Sequence, residues 1–438
     1  MRGFSVGLIT EGYNPDNVGG INTWVQQLIM AFPYVDFTMI NITSKNKLSH
    51  TQFPSNVKKY LEIPLWSHKD EMTVYDRDDG LYEISINDSN CYNKELLSIK
   101  FYKHLENKYG SIYDIRKSFL DALKTIIITE FGEENIDVIH TSNAGLAGFV
   151  GVHLKQLLKK PLIVSEHGLH IREWKLRLSS KFFPSEIEFP EHIKQLNFRR
   201  TYKDALNINR DIVSFVYRNA DNILPVTSTH IPTEISLGAD PMKIQVINNG
   251  LTIPNEENNS CENNTENDCI KIATLARVNP IKNLELLIDV ARILVEESNK
   301  YEFHIAGPIE DYDYFKELIS RIEQYNLENK VIFHGIIYDR NWLQDKDLML
   351  LTSLSEGQPY AVIEALLQDL PVVSTSVGDI PNMVNNRECV VEGFSADKLA
   401  SRVKHVFVAR KKIRYGDKYK FSMDRFRKNM ENIYKSWL

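Results

Sequence analysis

Cysteine is scarce. The 438 residues hold 4, at positions 91, 261, 269 and 389. Their spacing suits neither a disulfide framework nor a metal site, so nothing points to a stapled secreted fold, and a reducing cytoplasm is the expected setting. No apolar run reaches the roughly 18 residues a membrane span needs. The apolar start, Phe4 to Thr10, is broken by Glu11-Gly12 and reads as a first buried strand rather than a signal peptide. An excess of positive charge is also lacking. With 52 Lys and Arg against 58 Asp and Glu the net charge is -6, which argues against a nucleic-acid partner. No cluster of His and Cys suggests a metal centre, and no short repeat suggests a solenoid.

What is present is ordinary in amount: 43% hydrophobic and 25% charged residues, as in soluble globular proteins. The length suits two domains better than one core. Strand-like segments at Phe4–Thr10, Phe37–Asn41, Ile136–His140, Leu162–Ser165 and Asn222–Val226 alternate with helical patterning. Between them, residues of about 65 to 118 are less regular. They read as an insertion, partly helical near its end, whose acidic stretch Asp70 to Gly80 is a solvated excursion or, alternatively, a lid or acceptor platform. Residues 254–268 are almost without apolar side chains and read as a linker. A second strand–helix rhythm follows at Ile270–Leu275, Glu302–Ala306, Val331–His334, Leu348–Thr352 and Val372–Thr375. Strands alternating with helices imply parallel sheets. The expected fold class is therefore α/β, with two Rossmann-like domains facing a cleft: residues 1–253 and, after the linker, 269–415. Residues 416–438 end in an amphipathic helix with Phe426, Met430, Ile433 and Tyr434 on one stripe.

The densest candidate site is Ser355-Glu356-Gly357-Gln358-Pro359-Tyr360-Ala361-Val362-Ile363-Glu364. It lies between two apolar strand segments, so Glu356 falls at a strand's carboxyl end, where open α/β sheets bind ligands. The N–H groups of Gln358 to Ala361 open a helix, a ready site for phosphate. Glu364 is expected about two turns into that helix, beside the same crevice. Arg277 and Lys282 follow the strand Ile270–Leu275, and a guanidinium with an ammonium suits a diphosphate. Gly19-Gly20 follows the first strand and opens another helix, allowing close backbone approach to a ligand. His167, with His170 and Arg172 after it, follows the strand Leu162–Ser165.

These segments, in this order, resemble the retaining glycosyltransferase family 4. The carriers are Glu356-x7-Glu364, Arg277-x4-Lys282, Thr10-Glu11-Gly12-x6-Gly19-Gly20-x3-Trp24-Val25 and Glu166-His167-Gly168-x3-Arg172-Glu173. The wording of the first and last is most similar to the branch that includes the exopolysaccharide synthase PelF. The Asn14-Pro15-Asp16-Asn17 segment and Asn248, where the family has proline, depart from its pattern.

The resemblance implies a GT-B fold whose last helix crosses back to the first domain. It implies transfer of a hexosyl unit from a nucleoside-diphosphate sugar, UDP-glucose first and UDP-N-acetylglucosamine next, to a hydroxyl acceptor, with no cofactor and no metal. His167 would contact the donor sugar and Arg172 would line the cleft. Gly19 and Gly20 would lie near the donor phosphate, and Arg277 and Lys282 would stabilise the departing diphosphate. The N–H groups from Gln358 through Pro359 and Tyr360 to Ala361 would hold that diphosphate. Glu356 would position the sugar and stabilise positive charge, Glu364 would accept from the ribose, and Ile336 would lie beside the base. A partner could recruit the protein to a membrane synthase complex. A sugar-nucleotide epimerase and a non-catalytic sugar-nucleotide-binding subunit are the rival readings.

Overall fold

Two sheets carry the molecule, and their central strands, Ser5–Glu11 and Val138–Thr141 in one and Leu348–Leu351 and Val372–Thr375 in the other, are buried on both faces. The computed structural model describes residues 3–13, 19–43, 53–64, 71–76, 80–85, 135–169, 171–172, 198–252, 269–339, 341–410 and 417–438. The first sheet comprises β1 (Ser5–Glu11), β2 (Asp36–Thr43), β3 (Val57–Pro64), β4 (Glu71–Asp76), β5 (Gly80–Ser85), β6 (Val138–Thr141), β7 (Leu162–Glu166) and β8 (Asn222–Pro225). Its order is β5-β4-β3-β2-β1-β6-β7-β8. Six strands are parallel, while β4 and β5 form an antiparallel hairpin on the β3 edge. The irregular excursion expected from Asp70 to Gly80 is thus partly strand. Alternation in Glu71-Met72-Thr73-Val74-Tyr75-Asp76 was hidden by the charges around it. The helix expected near residue 118 and the linker 254–268 lie outside the described residues, as does His170.

The second sheet comprises β9 (Ile270–Leu275), β10 (Tyr301–Ala306), β11 (Val331–Gly335), β12 (Leu348–Leu351), β13 (Val372–Thr375) and β14 (Val390–Val391). All of its strands are parallel, in the order β11-β10-β9-β12-β13-β14. In both sheets the strand order reverses beside the first strand. A crevice therefore opens at the carboxyl ends of β1 and β6, and another at those of β9 and β12.

Helices cover the sheets: α1 (Gly20–Ala31), α2 (Leu146–Leu158), α3 (Phe198–Asn219) and α4 (Ile231–Ser236) in the first half. In the second are α5 (Leu284–Glu297), α6 (Tyr312–Gln324), α7 (Tyr360–Leu367), α8 (Ile380–Val384) and α9 (Ala396–Ala409). Helix α5 shows why they form. Leu284, Leu287, Ile288, Ala291 and Leu294 recur at helical spacing and all are buried, each large aliphatic contributing about 1.5–3 kcal/mol. The last helix, α10 (Met423–Lys435), buries the stripe Phe426, Met430, Ile433 and Tyr434. It packs on the first domain: the Tyr434 ring meets Phe4 and Phe32 at 5.6 and 5.5 Å, and its hydroxyl lies 2.8 Å from His140 Nδ1. The outgoing and returning chain segments run side by side. Leu251 N–H donates to Phe421 O at 2.8 Å and Met423 N–H donates to Leu251 O at 3.0 Å.

One buried group sets a pH dependence. Glu234 on α4 is fully buried, and neither carboxylate oxygen has a hydrogen-bond partner among the described residues. Burial pushes its pKa from the ordinary 4.5 up to about 7. The folded protein keeps this proton in a window where the unfolded chain has released it, so stability falls as pH rises from about 4.5 to about 7. Glu234→Gln removes that dependence. Its melting temperature should exceed the wild type's at pH 8 and the gain should shrink at pH 5, as thermal unfolding at the two pH values will show.

Candidate active site

Residues after β9 and β12 meet at the second sheet's switch point. Lys282 closes a short turn, Pro280–Lys282, and Glu356 follows β12. Lys282 Nζ lies 2.6 Å from Glu356 Oε1, with the two side chains only 17% and 9% exposed. The Ser353 hydroxyl donates to the same oxygen at 2.7 Å. The two loops are stitched together below the pair: Thr352 Oγ1 donates to Lys282 O at 3.1 Å, Asn283 Nδ2 to Thr352 O at 3.1 Å, and Leu354 N–H to Ile281 O at 2.8 Å. Asn283 sits at φ 52°, in the left-handed region that asparagine tolerates. Arg277 is more open and pairs with Glu310 at 2.7 Å, while Asn279 also donates to Glu310. Lys282 and Arg277 are thus on one crevice, but each rests on its own carboxylate.

Helix α7 begins at Tyr360 with Pro359 as its N-cap. Proline has no N–H, so the donor set expected from Gln358 to Ala361 is reduced to Gln358, Tyr360 and Ala361. These N–H groups make no backbone hydrogen bond among the described residues. Glu364 lies one turn into α7 rather than two, because the Gln-Pro segment is extended instead of helical. It is half-buried. The Tyr360 hydroxyl is buried without a partner among the described residues, and burial, with Glu364 nearby, pushes its pKa up. Ile336 is half-buried just past β11, two strands from β9.

The first domain faces this crevice with two loops. Gly19 caps α1, and a Cβ built there would lie 3.9 Å from the Arg277 Cδ; this glycine loop therefore abuts the cation site. Gly20 is the first residue of α1. His167 follows β7, and its ring rests on Trp24 of α1 with centroids 4.4 Å apart. Among the described residues neither ring nitrogen has a hydrogen bond of ordinary geometry. Burial pulls its pKa down to about 3, against a smaller upward effect of Asn249. The imidazole is therefore neutral at pH 7 and offers one donor and one acceptor. Trp24 also meets His140 edge-on at 5.4 Å, and His140 Nε2 lies 2.8 Å from the Ser165 hydroxyl. A packed chain thus runs from Tyr434 of α10 through His140 and Trp24 to His167. Arg172 is exposed; His230 has its pKa lowered mainly by burial, with the Arg172 charge adding to it against Asp379.

The domains touch directly under the site. A Cβ on Gly357 would fall 1.9 Å from the His167 carbonyl oxygen, so only glycine lets these backbones approach. Gln358 is 3% exposed. Its Oε1 accepts from Asn249 N–H at 2.6 Å, and its Nε2 donates to Val226 O at 3.0 Å and to Asp379 Oδ2 at 2.9 Å. The sequence marks the backbone of Gln358 as an anion donor, whereas the side chain's role across the domains has no local signal. Asn249 likewise carries none, and Trp24, part of the Gly19-Gly20-x3-Trp24 pattern, gives no sign of its contact with the His167 ring. Among the described residues no group of three or more His, Cys, Asp and Glu is placed to hold a metal ion.

Taken together, the crevice offers two cations, free N–H groups, a shielded carboxylate and a neutral imidazole. That set suits an anionic ligand with a polyhydroxylated neighbour. Residues 255–419 match the family described as Glycosyl transferases group 1. Residues 4–93 and 89–242 match the family described as Domain of unknown function (DUF3492), together more than half of the chain. The poly(ribitol-phosphate) alpha-N-acetylglucosaminyltransferase of Staphylococcus aureus is 29% identical over 136 residues, 30% of this chain and 27% of that protein. The chain spans less than half the length of the curated relatives it matches. Sucrose-phosphate synthase from Thermosynechococcus elongatus superposes with a TM-score of 0.67 at 17% identity, over 99% of this chain and 98% of that one. Anabaena HepE in complex with UDP gives a TM-score of 0.62 at 14% identity, over 99% and 100%. The chain therefore belongs to the family described as DUF3492, continues into a group 1 glycosyl transferase domain, and has the GT-B fold of two facing α/β domains.

Proposed function

We propose that this chain is a retaining, family 4-like glycosyltransferase of the PelF-like branch. It moves a hexosyl unit from a nucleoside-diphosphate sugar, UDP-glucose first and UDP-N-acetylglucosamine next, to a hydroxyl of a growing glycan. The observation that carries the reading is the Lys282–Glu356 pair at the second sheet's switch point, 2.6 Å apart and shielded, beside a helix start with free N–H groups. The HepE structure with UDP and the relative named as an N-acetylglucosaminyltransferase agree with a UDP-sugar donor.

In this reading Lys282 and Arg277 turn from Glu356 and Glu310 to the diphosphate, joined by the N–H groups of Gln358, Tyr360 and Ala361 and by the Gly19-Gly20 loop. Glu364 accepts from the ribose hydroxyls, and Ile336 lies against the base. Glu356 and neutral His167 hold the sugar's hydroxyls, with Arg172 at the cleft wall. The acceptor oxygen bonds to the anomeric carbon on the face from which the nucleotide leaves. The bond from that carbon to the diphosphate oxygen breaks, and the hydroxyl proton passes to the leaving phosphate. Charge on the departing diphosphate is met by fixed donors and cations. The setting is the cytoplasm, with a membrane synthase complex as the recruiting partner. No helix among the described residues is long and apolar enough to cross a membrane.

Lys282→Ala tests the anion site. Charged hydrogen bonds of this kind contribute about 1.5–3 kcal/mol, so UDP affinity should fall about tenfold to a hundredfold in titration calorimetry. An unchanged affinity would remove Lys282 from the diphosphate site.

A further inference from the structure

The two domains are joined beneath the site by a buried set of hydrogen bonds centred on one residue. Four cross between them: Asn249 N–H to Gln358 Oε1 at 2.6 Å, Asn249 Nδ2 to Gln358 O at 2.9 Å, Gln358 Nε2 to Val226 O at 3.0 Å, and Thr227 Oγ1 to Asp379 Oδ1 at 2.7 Å. Within the second domain, Gln358 Nε2 also donates to Asp379 Oδ2, and Asp379 N–H donates to Gly357 O at 2.9 Å. Thr227, Asn249, Gln358 and Asp379 are each at most 5% exposed. In water-poor surroundings such bonds are costly to leave unmade.

Their placement matters. Asn249 lies two residues before Leu251, where the outgoing chain pairs with the returning Phe421–Met423 segment. Gln358 lies two residues after Glu356 and next to Gly357, which rests on the His167 carbonyl. The point where the chain crosses between domains, the loop bearing Glu356, and the loop bearing His167 therefore share one anchor.

We propose that Gln358 is a positioning residue and the pivot between the domains. Its side chain holds the Glu356 loop against the first domain, so that opening and closing of the cleft rotates about this point while the spacing of Glu356 and His167 is kept. This rests on the glycosyltransferase reading for its kinetic part alone; the pivot itself is read without substrate.

The test uses the full chain with Gln358→Leu, Gln358→Glu, and Gln358→Glu combined with Asp379→Asn. Hydrogen exchange of the Asn249 amide is followed without ligand, and turnover and UDP affinity are measured in parallel. Leucine removes the acceptor for that amide, and its exchange should quicken about tenfold. Turnover should fall about a hundredfold, as displaced groups cost, and by more than UDP affinity, because every variant keeps the backbone N–H at position 358. Gln358→Glu sets a carboxylate against Asp379, and Asp379→Asn returns a donor to it. The double variant should recover turnover that the single variant loses. A residue that merely fills space would give equal losses in the leucine and glutamate variants and no recovery. Should the leucine variant not fold, the glutamate pair decides the matter. Unchanged Asn249 exchange in the leucine variant, or no recovery in the double, overturns the pivot. Absence of transfer by the wild type with quickened exchange in the variants would overturn the glycosyltransferase reading and leave the pivot standing.

Discussion

Glu356→Gln should lower glycosyl transfer by about a hundredfold to a thousandfold, the usual effect of removing one fixed electrostatic group from a transition state. The amide keeps the shape of the carboxylate and can still accept from the Ser353 hydroxyl, now 2.7 Å from Oε1. What disappears is the negative charge, shielded to 9% exposure, that would face positive charge building at the anomeric carbon. The same change frees Lys282 from its 2.6 Å counter-ion. UDP affinity should therefore hold or rise slightly while turnover collapses. Steady-state kinetics with a UDP titration separates the two effects. An unchanged rate would show that Glu356 is a structural partner of Lys282 and nothing more.

The second large effect is expected at Gly357. Alanine there would bring its Cβ to 1.9 Å from the His167 carbonyl oxygen and 3.0 Å from its carbon. Both atoms are backbone, so no side chain can swing aside. Either the Glu356 loop or the His167 loop must move. Overpacking of this sort costs about 1–3 kcal/mol, and a shift of the reacting groups by about an ångström costs about a hundredfold in rate. Gly357→Ala should thus lose both melting temperature and turnover, while the isolated UDP contacts of Lys282 and Arg277 persist. Full activity in this variant would mean that the two loops are not held together during turnover.

Much of the architecture could be read from the chain. The apolar segments from Phe4 and from Ile270 are central strands buried on both faces, and such runs announce parallel sheets. The Glu356–Glu364 segment marked a strand end and helix start by its Gly-Gln-Pro turn. Chemistry at the joins was less legible. Gln358 looks like any polar turn residue until Asn249, 109 positions away, is placed against it. Trp24 could have been ordinary core, and only the fold puts His167 on its face. Pro359 stands within the expected donor row by position but has no N–H to give. The antiparallel strands Glu71–Asp76 and Gly80–Ser85 are hard to read because charged residues outweigh a short alternation. For Gln358 and Trp24 the deciding partner comes from a distant segment, which local pattern does not carry.

The central claim is that the crevice between the two domains activates a nucleotide sugar. Incubating the protein with UDP-, GDP- and ADP-sugars while recording nucleotide release and product masses tests this most directly. The account predicts release of UDP from one UDP-sugar, with a new glycoside when a hydroxyl acceptor is present and slow donor hydrolysis when it is not. Conversion to an isomeric nucleotide sugar, or tight nucleotide binding without any release across acceptors, would contradict it.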